Sequence, residues 1–261
     1  MVEQVLCSTM ALIVTDAIVL HQIDYLESSR ILRLATREAG VQSVVARGAR
    51  SSRKRFGSAL DLFAEGQAQW QTKPGRDLHT LTFFDVTRVR PALATDLGRF
   101  TAATAFSECV LRVVHDEAAP SVYTGILAGF DAIAASAPAD TVSIALGALW
   151  RLVSDVGFTP ALDRCAECHT PIPADADAAF SHAAGGTLCA QCSTFVPSVR
   201  RLPASARQAM LAWLSGAPVV VRETEARAHQ RLLREFLVHH LTDGRALRAF
   251  LVWEQGHFTQ R

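Results

Sequence analysis

Four cysteines lie in "LDRCAECHTPIPADADAAFSHAAGGTLCAQC", Leu162 to Cys192, in a chain that has only six. They form two pairs, Cys165 with Cys168 and Cys189 with Cys192; two residues separate the members of each pair and twenty separate the pairs. A CxxC turn aims two thiolates at one point, with backbone amides near enough to steady their charge. Two such turns complete a closed tetrahedral S4 shell, which suits zinc and leaves no open position for a substrate. The spacing sits at the upper edge of the zinc-site pattern of about 15–20 intervening residues. The linker carries Pro171, Pro173, Gly185 and Gly186 and is too polar to fold alone, so metal would supply its stability. The competing reading is two disulfides or four idle thiols; a reducing cytosol favours metal. His169 and His182 read as bystanders beside four thiolates. Cys7 and Cys109 take no role.

The second chemical signal is charge. Arg30, Arg33, Arg37, Arg47, Arg50, Arg53, Lys54 and Arg55 fall in one window whose single acid is Glu38, in a chain whose formal net charge is +1. The densest part, "ARGARSSRKRFG", has the Gly, Ser and Arg content of an exposed loop. Such a loop can follow a phosphate backbone: guanidinium groups grip phosphate in a fork, and condensed counterions are released. Lys73, Arg76 and Arg88 would widen the patch. The alternative is a solvated loop with no partner. Phe56, Phe63 and Trp70 could stack on bases, although strand aromatics usually belong to a core. A second arginine-rich run, "VRETEARAHQRLLREF", is mixed in charge and reads mainly as a solvated helix face.

Catalysis finds no support. There is no GxxxxGK[ST], HExxH or GxSxG, and no HxE…PCxxC pattern. A closed S4 metal does not activate water, so no catalytic residue is expected. No apolar run approaches a membrane span, and no secretory leader is evident.

Two kinds of element must position these groups. From about Ala11 to Arg90, runs such as "DAIVLHQ", "RILRLATR", "VQSVVAR" and "LHTLTFFDVTRV" are strand-like and punctuated by "REAG" and "KPGRD". In "LDLFAEGQAQW", Leu62, Ala64, Ala68 and Trp70 alternate with a largely polar face of Phe63, Glu65, Gln67 and Gln69. Five or so short strands predict a small barrel or sandwich. After Pro91 the period becomes helical: Leu93, Leu97, Phe100, Ala103, Phe106, Val110 and Val114 share a face. Helices follow in "SVYTGILAGFDAIAAS" and "TVSIALGALWRLVSDVGF", the latter starting at Asp140 or Thr141 and ending at Gly157. Further helices are expected near 203–215, 225–241 and 245–254.

The wording of several segments goes further. "DAIVLHQIDYLESSRILRLATREAGVQSVVARGARSS" contains a Y-x-E-S-x-R-I-L strand, a T-R-E-x-G turn and an A-R/K-G-A-R basic segment. "ALDLFAEGQAQW" reads as the following strand. "DVGFTPALDRCAECH" and "FSHAAGGTLCAQC" fit G-F/Y-x-P-x-L-D-x-C-x-x-C and F-S-x-x-x-G-G-x-x-C-x-x-C. Together these resemble the bacterial recombination mediator family RecO over most of the chain. His169 departs from the pattern, since many relatives carry Gly after the second cysteine. Some relatives lack the cysteines.

The resemblance implies an α+β multidomain chain: an N-terminal OB-fold β-barrel, then an α-helical domain with an inserted zinc ribbon. The expected divisions are 1–90 for the DNA-binding barrel, 91–160 and 200–261 for the helical domain, and 161–199 for the insert. It implies binding of single- and double-stranded DNA, annealing of complementary strands and, with RecR, help in loading RecA onto DNA coated by single-strand-binding protein. It also implies contact with the acidic C-terminal tail of that protein, one structural Zn2+ per chain, and a cytoplasmic, nucleoid-associated place. The alternative is a zinc-containing protein-interaction scaffold with only secondary DNA contact.

Overall fold

The computed structural model describes residues 11–50, 56, 60–72, 75–242 and 244–256. They divide into two compact units: residues up to Arg90 together with Val114–Thr124, and Pro91–Val113 together with the chain from Gly125.

The first unit is a closed five-stranded barrel. Its strands are β1 (Leu12–Tyr25), β2 (Ser29–Thr36), β3 (Gly40–Ala46), β4 (Glu65–Gln71) and β5 (Leu78–Arg88), in the order β1-β2-β3-β5-β4. All neighbours are antiparallel except β3 and β5. This is the OB type of barrel. Closure depends on β1, whose first half pairs with β4 and whose second half pairs with β2. A bulge between Val19 and His21 turns the strand from one partner to the other. Inward positions (Ala17, Val19, Leu32, Leu34, Val44, Ala68, Trp70, Leu81 and Phe84) fill the interior, with Phe56 and Leu60 packed against them. Phe56, Phe63 and Trp70 are each at most 3% exposed, so they are core and not a base-stacking platform. Phe63 also departs from the polar face expected of it. It precedes β4, in the left-handed region at φ 67, where the alternation of the strand does not apply.

Residues 114–124 belong to this unit through a close backbone approach. The Val41 amide donates to His115 O at 2.9 Å. Gly40 sits beside it at φ 60, and a Cβ there would lie 2.2 Å from the same carbonyl.

The second unit is mainly helical: α1 (Pro91–Thr95), α2 (Leu97–Val113), α3 (Pro120–Ala135), α4 (Thr141–Asp155), α5 (Ala204–Leu214), α6 (Glu223–His240) and α7 (Arg248–Gln255). The continuous helical pattern after Pro91 breaks at Asp96. The Asp96 carboxylate accepts the Arg99 amide at 2.8 Å and so starts α2 afresh. The end of α4 at Gly157 is as expected, with φ 91 at the glycine. Trp150 on α4 packs on Phe236 of α6 at 5.5 Å, and Phe106 meets Phe130 edge-on at 5.0 Å. The Glu108 carboxylate caps α7, accepting the Arg248 and Phe250 amides at 2.8 and 3.0 Å. α6 is less solvated than its charges suggest: Ala226, His229, Gln230, Leu233, Phe236 and Leu237 are buried.

Two stability predictions follow. Gly40→Ala should destabilise the protein by about 2–4 kcal/mol in denaturant unfolding, because a side chain at positive φ must also displace backbone. The second concerns His229, which is 2% exposed and edge-on to Trp213. Burial pushes its imidazole from 6.5 down to about 4, although Glu225 pulls it up. The folded value is the lower one, so this contribution is full above about pH 6.5 and is lost as pH falls toward 4. The loss should reach at most about 3 kcal/mol. His229→Gln should flatten the dependence of the thermal midpoint on pH across that window.

Candidate metal centre and nucleic-acid surface

The cysteine-bearing insert is a small ribbon. β6 (Ala178–Ser181), β7 (Gly186–Leu188) and β8 (Arg200–Leu202) form a sheet in the order β7-β6-β8. The first knuckle is tied to β7 by the Ala166 amide on Thr187 O at 2.7 Å and by Thr187 Oγ1, which reaches Ala161 O and Arg164 O. Gly186 allows this closeness, since a Cβ there would lie 2.3 Å from Ala161 O.

These contacts bring Cys165, Cys168, Cys189 and Cys192 together, with all four sulfurs within 4.8 Å of one another. The Sγ atoms of Cys168 and Cys189 are 3.8 Å apart. Zinc bonded tetrahedrally to sulfur at about 2.3 Å requires sulfur–sulfur edges of about 3.8 Å, so this edge matches a zinc tetrahedron and the others lie within 4.8 Å. None of the four is in a disulfide. Among the described residues this is the sole cluster of metal-ligating side chains.

The protonation of the quartet is uneven. Burial pushes the Cys165 thiol up, but backbone N–H donors of Cys168, Cys189 and Glu167 prevail and bring it to about 6. Cys192 is pushed up to about 12, first through its contact with Cys189 and then with Cys168. Cys168 is lowered as well, first by the Thr170 hydroxyl, so the shifts run in opposite directions within one cage. Gathering four negative sulfurs needs a cation among them.

Neither histidine joins the quartet. His169 occupies φ 60, a left-handed position that favours glycine, and its amide donates to Cys165 O. His182 Nε2 lies 3.1 Å from Glu235 Oε2 on α6, and Glu235 Oε1 holds Arg200 at 2.6 Å. The ribbon is anchored further by a residue that sequence reasoning missed. Arg207 on α5 is 1% exposed and donates to the carbonyls of Leu162, Ile172, Pro173 and Ala176.

On the barrel, the basic residues gather around the β1–β2 turn and the start of the segment after β3. Arg30 sits opposite Asp24 in the β1–β2 ladder. Its Nε lies 3.2 Å from Asp24 Oδ1, and its Nη1 donates to Gln22 Oε1 at 3.2 Å. Arg50 Nη1 is 3.7 Å from Asp24 Oδ2, and the Arg50 amide donates to Ser28 O at 3.0 Å. Arg47 is exposed. Arg33 is half-buried, level with His21 on β1 and Ser43 on β3. Arg37 is engaged elsewhere, 3.1 Å from Asp16 and over the Tyr123 ring at 5.1 Å. Arg53, Lys54, Arg55 and Lys73 lie outside the described residues.

A match to known proteins now spans both halves. The model described as "Recombination protein O N terminal" matches residues 10–90, and "Recombination protein O C terminal" matches residues 94–248. The chain belongs to the RecO family. It is 35% identical over 242 residues to the DNA repair protein RecO of Anaeromyxobacter sp. strain K, covering 90% of this chain and 93% of the relative. It is 34% identical over 183 residues to the protein of the same name from Syntrophotalea carbinolica, covering 70% of each. As a RecO-family member it is a DNA repair protein with an OB-type barrel, a helical domain and a cysteine cluster able to hold a metal. None of the helices described is long and apolar enough to cross a membrane.

The metal centre of this RecO-family chain yields a direct expectation. Protein purified without chelator should carry one metal ion per chain by elemental analysis. Cys165→Ser or Cys189→Ser should abolish that content and make the backbone of 161–199 exchange hydrogen faster. A disulfide pairing among the four under reducing conditions would contradict the assignment.

Proposed function

We propose that this RecO-family protein is a non-enzymatic DNA-binding recombination mediator. It would bind single- and double-stranded DNA, anneal complementary strands and, with RecR, help load RecA onto DNA coated by single-strand-binding protein. The observation that carries the reading is an OB-type barrel with Arg30, Arg47 and Arg50 gathered at one end, in a chain matched along both halves by the same repair family.

The main contact is the segment Arg47, Arg50, Arg53, Lys54 and Arg55, with Arg30 and Arg33 extending it and Arg37 serving mainly the barrel. Cations placed this way bind phosphate and not base edges, so affinity is independent of sequence. Annealing is then physical: neutralised phosphates repel each other less, and complementary strands can meet.

The metal in this reading is a structural zinc. Four sulfur donors suit zinc, and a filled shell leaves no place for a substrate or an activated water. When bound, the ion supplies the positive charge that lets four thiolates share one cage.

Contact with the acidic tail of single-strand-binding protein has support in a groove of the helical unit. Gly129 on α3, Gly147 on α4 and Trp213 on α5 wall it, and exposed Arg151 stands at its edge. The glycines let Phe106 and Trp213 approach closely, which leaves a mainly apolar lining, and the cation at its edge suits an acidic peptide.

Arg50→Glu, Arg53→Glu and Arg55→Glu together test the DNA surface. They should lower affinity about equally on every sequence. Losing three phosphate contacts should flatten the salt slope by about 2 units on single strands and nearly 3 on duplex. Metal content and thermal midpoint should hardly change. Wild-type affinity and slope in the triple variant would remove the barrel from the reading.

A further inference from the structure

Arg30 and Arg50 are far apart in the chain, on β2 and beyond β3, yet both guanidinium groups close on Asp24. Arg30 takes one carboxylate oxygen at 3.2 Å and Arg50 approaches the other at 3.7 Å. Two cations from separate segments converging on two oxygens of one anion is the arrangement that grips a phosphate. All three side chains are accessible, at 30% for Arg30, 42% for Arg50 and 58% for Asp24. The Arg30 guanidinium is also held by Gln22, and the Arg50 backbone is tied to the β1–β2 turn by its amide on Ser28 O. The placement of Arg30 therefore does not depend on the carboxylate alone.

We propose that Asp24 is a built-in stand-in for a nucleic-acid phosphate. Its carboxylate occupies the Arg30–Arg50 clamp in the free protein and is exchanged for a backbone phosphate on binding. This rests on the nucleic-acid reading above and adds to it a competitor that sets the affinity. Exposed ion pairs of this kind are weak, so a strand lined with phosphates displaces the carboxylate. The displaced carboxylate then takes up a cation from solution, which offsets part of the counterion release that drives binding. Asp24 lowers affinity and blunts salt dependence, and it favours release over permanent capture.

The experiment compares Asp24→Asn with Glu27→Gln by salt titration of the full-length protein on single-stranded oligonucleotides. Glu27 is an exposed acid of the same turn with no ion pair among the described residues. Asp24→Asn should raise affinity about three- to tenfold and steepen the salt slope by up to about 1 unit, whereas Glu27→Gln should change affinity by less than about twofold. In an Arg30→Gln, Arg50→Gln background the excess gain from Asp24→Asn should vanish. Thermal melting should confirm that all variants are folded. Equal effects of the two acid substitutions would reduce Asp24 to bulk charge and overturn the proposal. Weaker binding by Asp24→Asn would overturn it too, by making the carboxylate a brace for the arginines. A wild-type protein with no DNA affinity would remove the underlying reading itself, and the exchange with it.

Discussion

A buried guanidinium is costly unless hydrogen bonds offset its desolvation, and Arg207 is such a group, bonded through both terminal nitrogens. Its charge is spread over four main-chain carbonyls of the loop that carries the first cysteine knuckle. Those carbonyls belong to turns with little apolar surface of their own. The arginine needs the loop to be compact, and the loop needs the arginine to satisfy its carbonyls. The cysteine-bearing loop and the helical unit thus meet at one side chain. The cysteine cage closes one end of the ribbon, and Arg207, with the His182–Glu235–Arg200 chain, holds its base to α5 and α6. Phe180 completes the join by packing on Phe236 at 6.3 Å.

Electrostatics on the barrel follows a different logic. Charges counted along the sequence make the basic window look nearly free of acid. The sheet changes that balance, because β1 runs beside β2 and places Asp24 level with Arg30, while Asp16 reaches Arg37. The surface therefore carries cations already neutralised in part by weak exposed partners. In the function proposed above, such a surface would be moderate in affinity and reversible, as delivery and release of strands requires.

The legible parts of the molecule were those written in local pattern. Period two gave way to a helical period near Pro91, and the CxxC spacing implied a cage whose sulfurs the fold brings together. The resemblance supplied the OB type and the family. The illegible parts were set by distant partners. Phe63 broke its alternation because it lies ahead of β4 in a left-handed turn. Arg207, within "ASARQAMLAWL", carries no local signal because its carbonyl partners lie some thirty to forty-five residues upstream. Asp24 gave no signal until strand pairing set it against Arg30. His169 looked like a departure from the family pattern, and the backbone shows why glycine is common there: the position is left-handed.

The barrel unit is discontinuous in the chain. Its five strands are complete at Arg88, but the segment that meets Gly40 and Val41 comes only after α2. On a ribosome, which releases chain from the N-terminus, the strands emerge well before the stretch that finishes their unit. For that interval the Val41 amide has no carbonyl from His115 to receive it, and the turn at Gly40 lies open. The first unit is therefore complete only once residues 89–124, the helices α1 and α2 among them, have been translated.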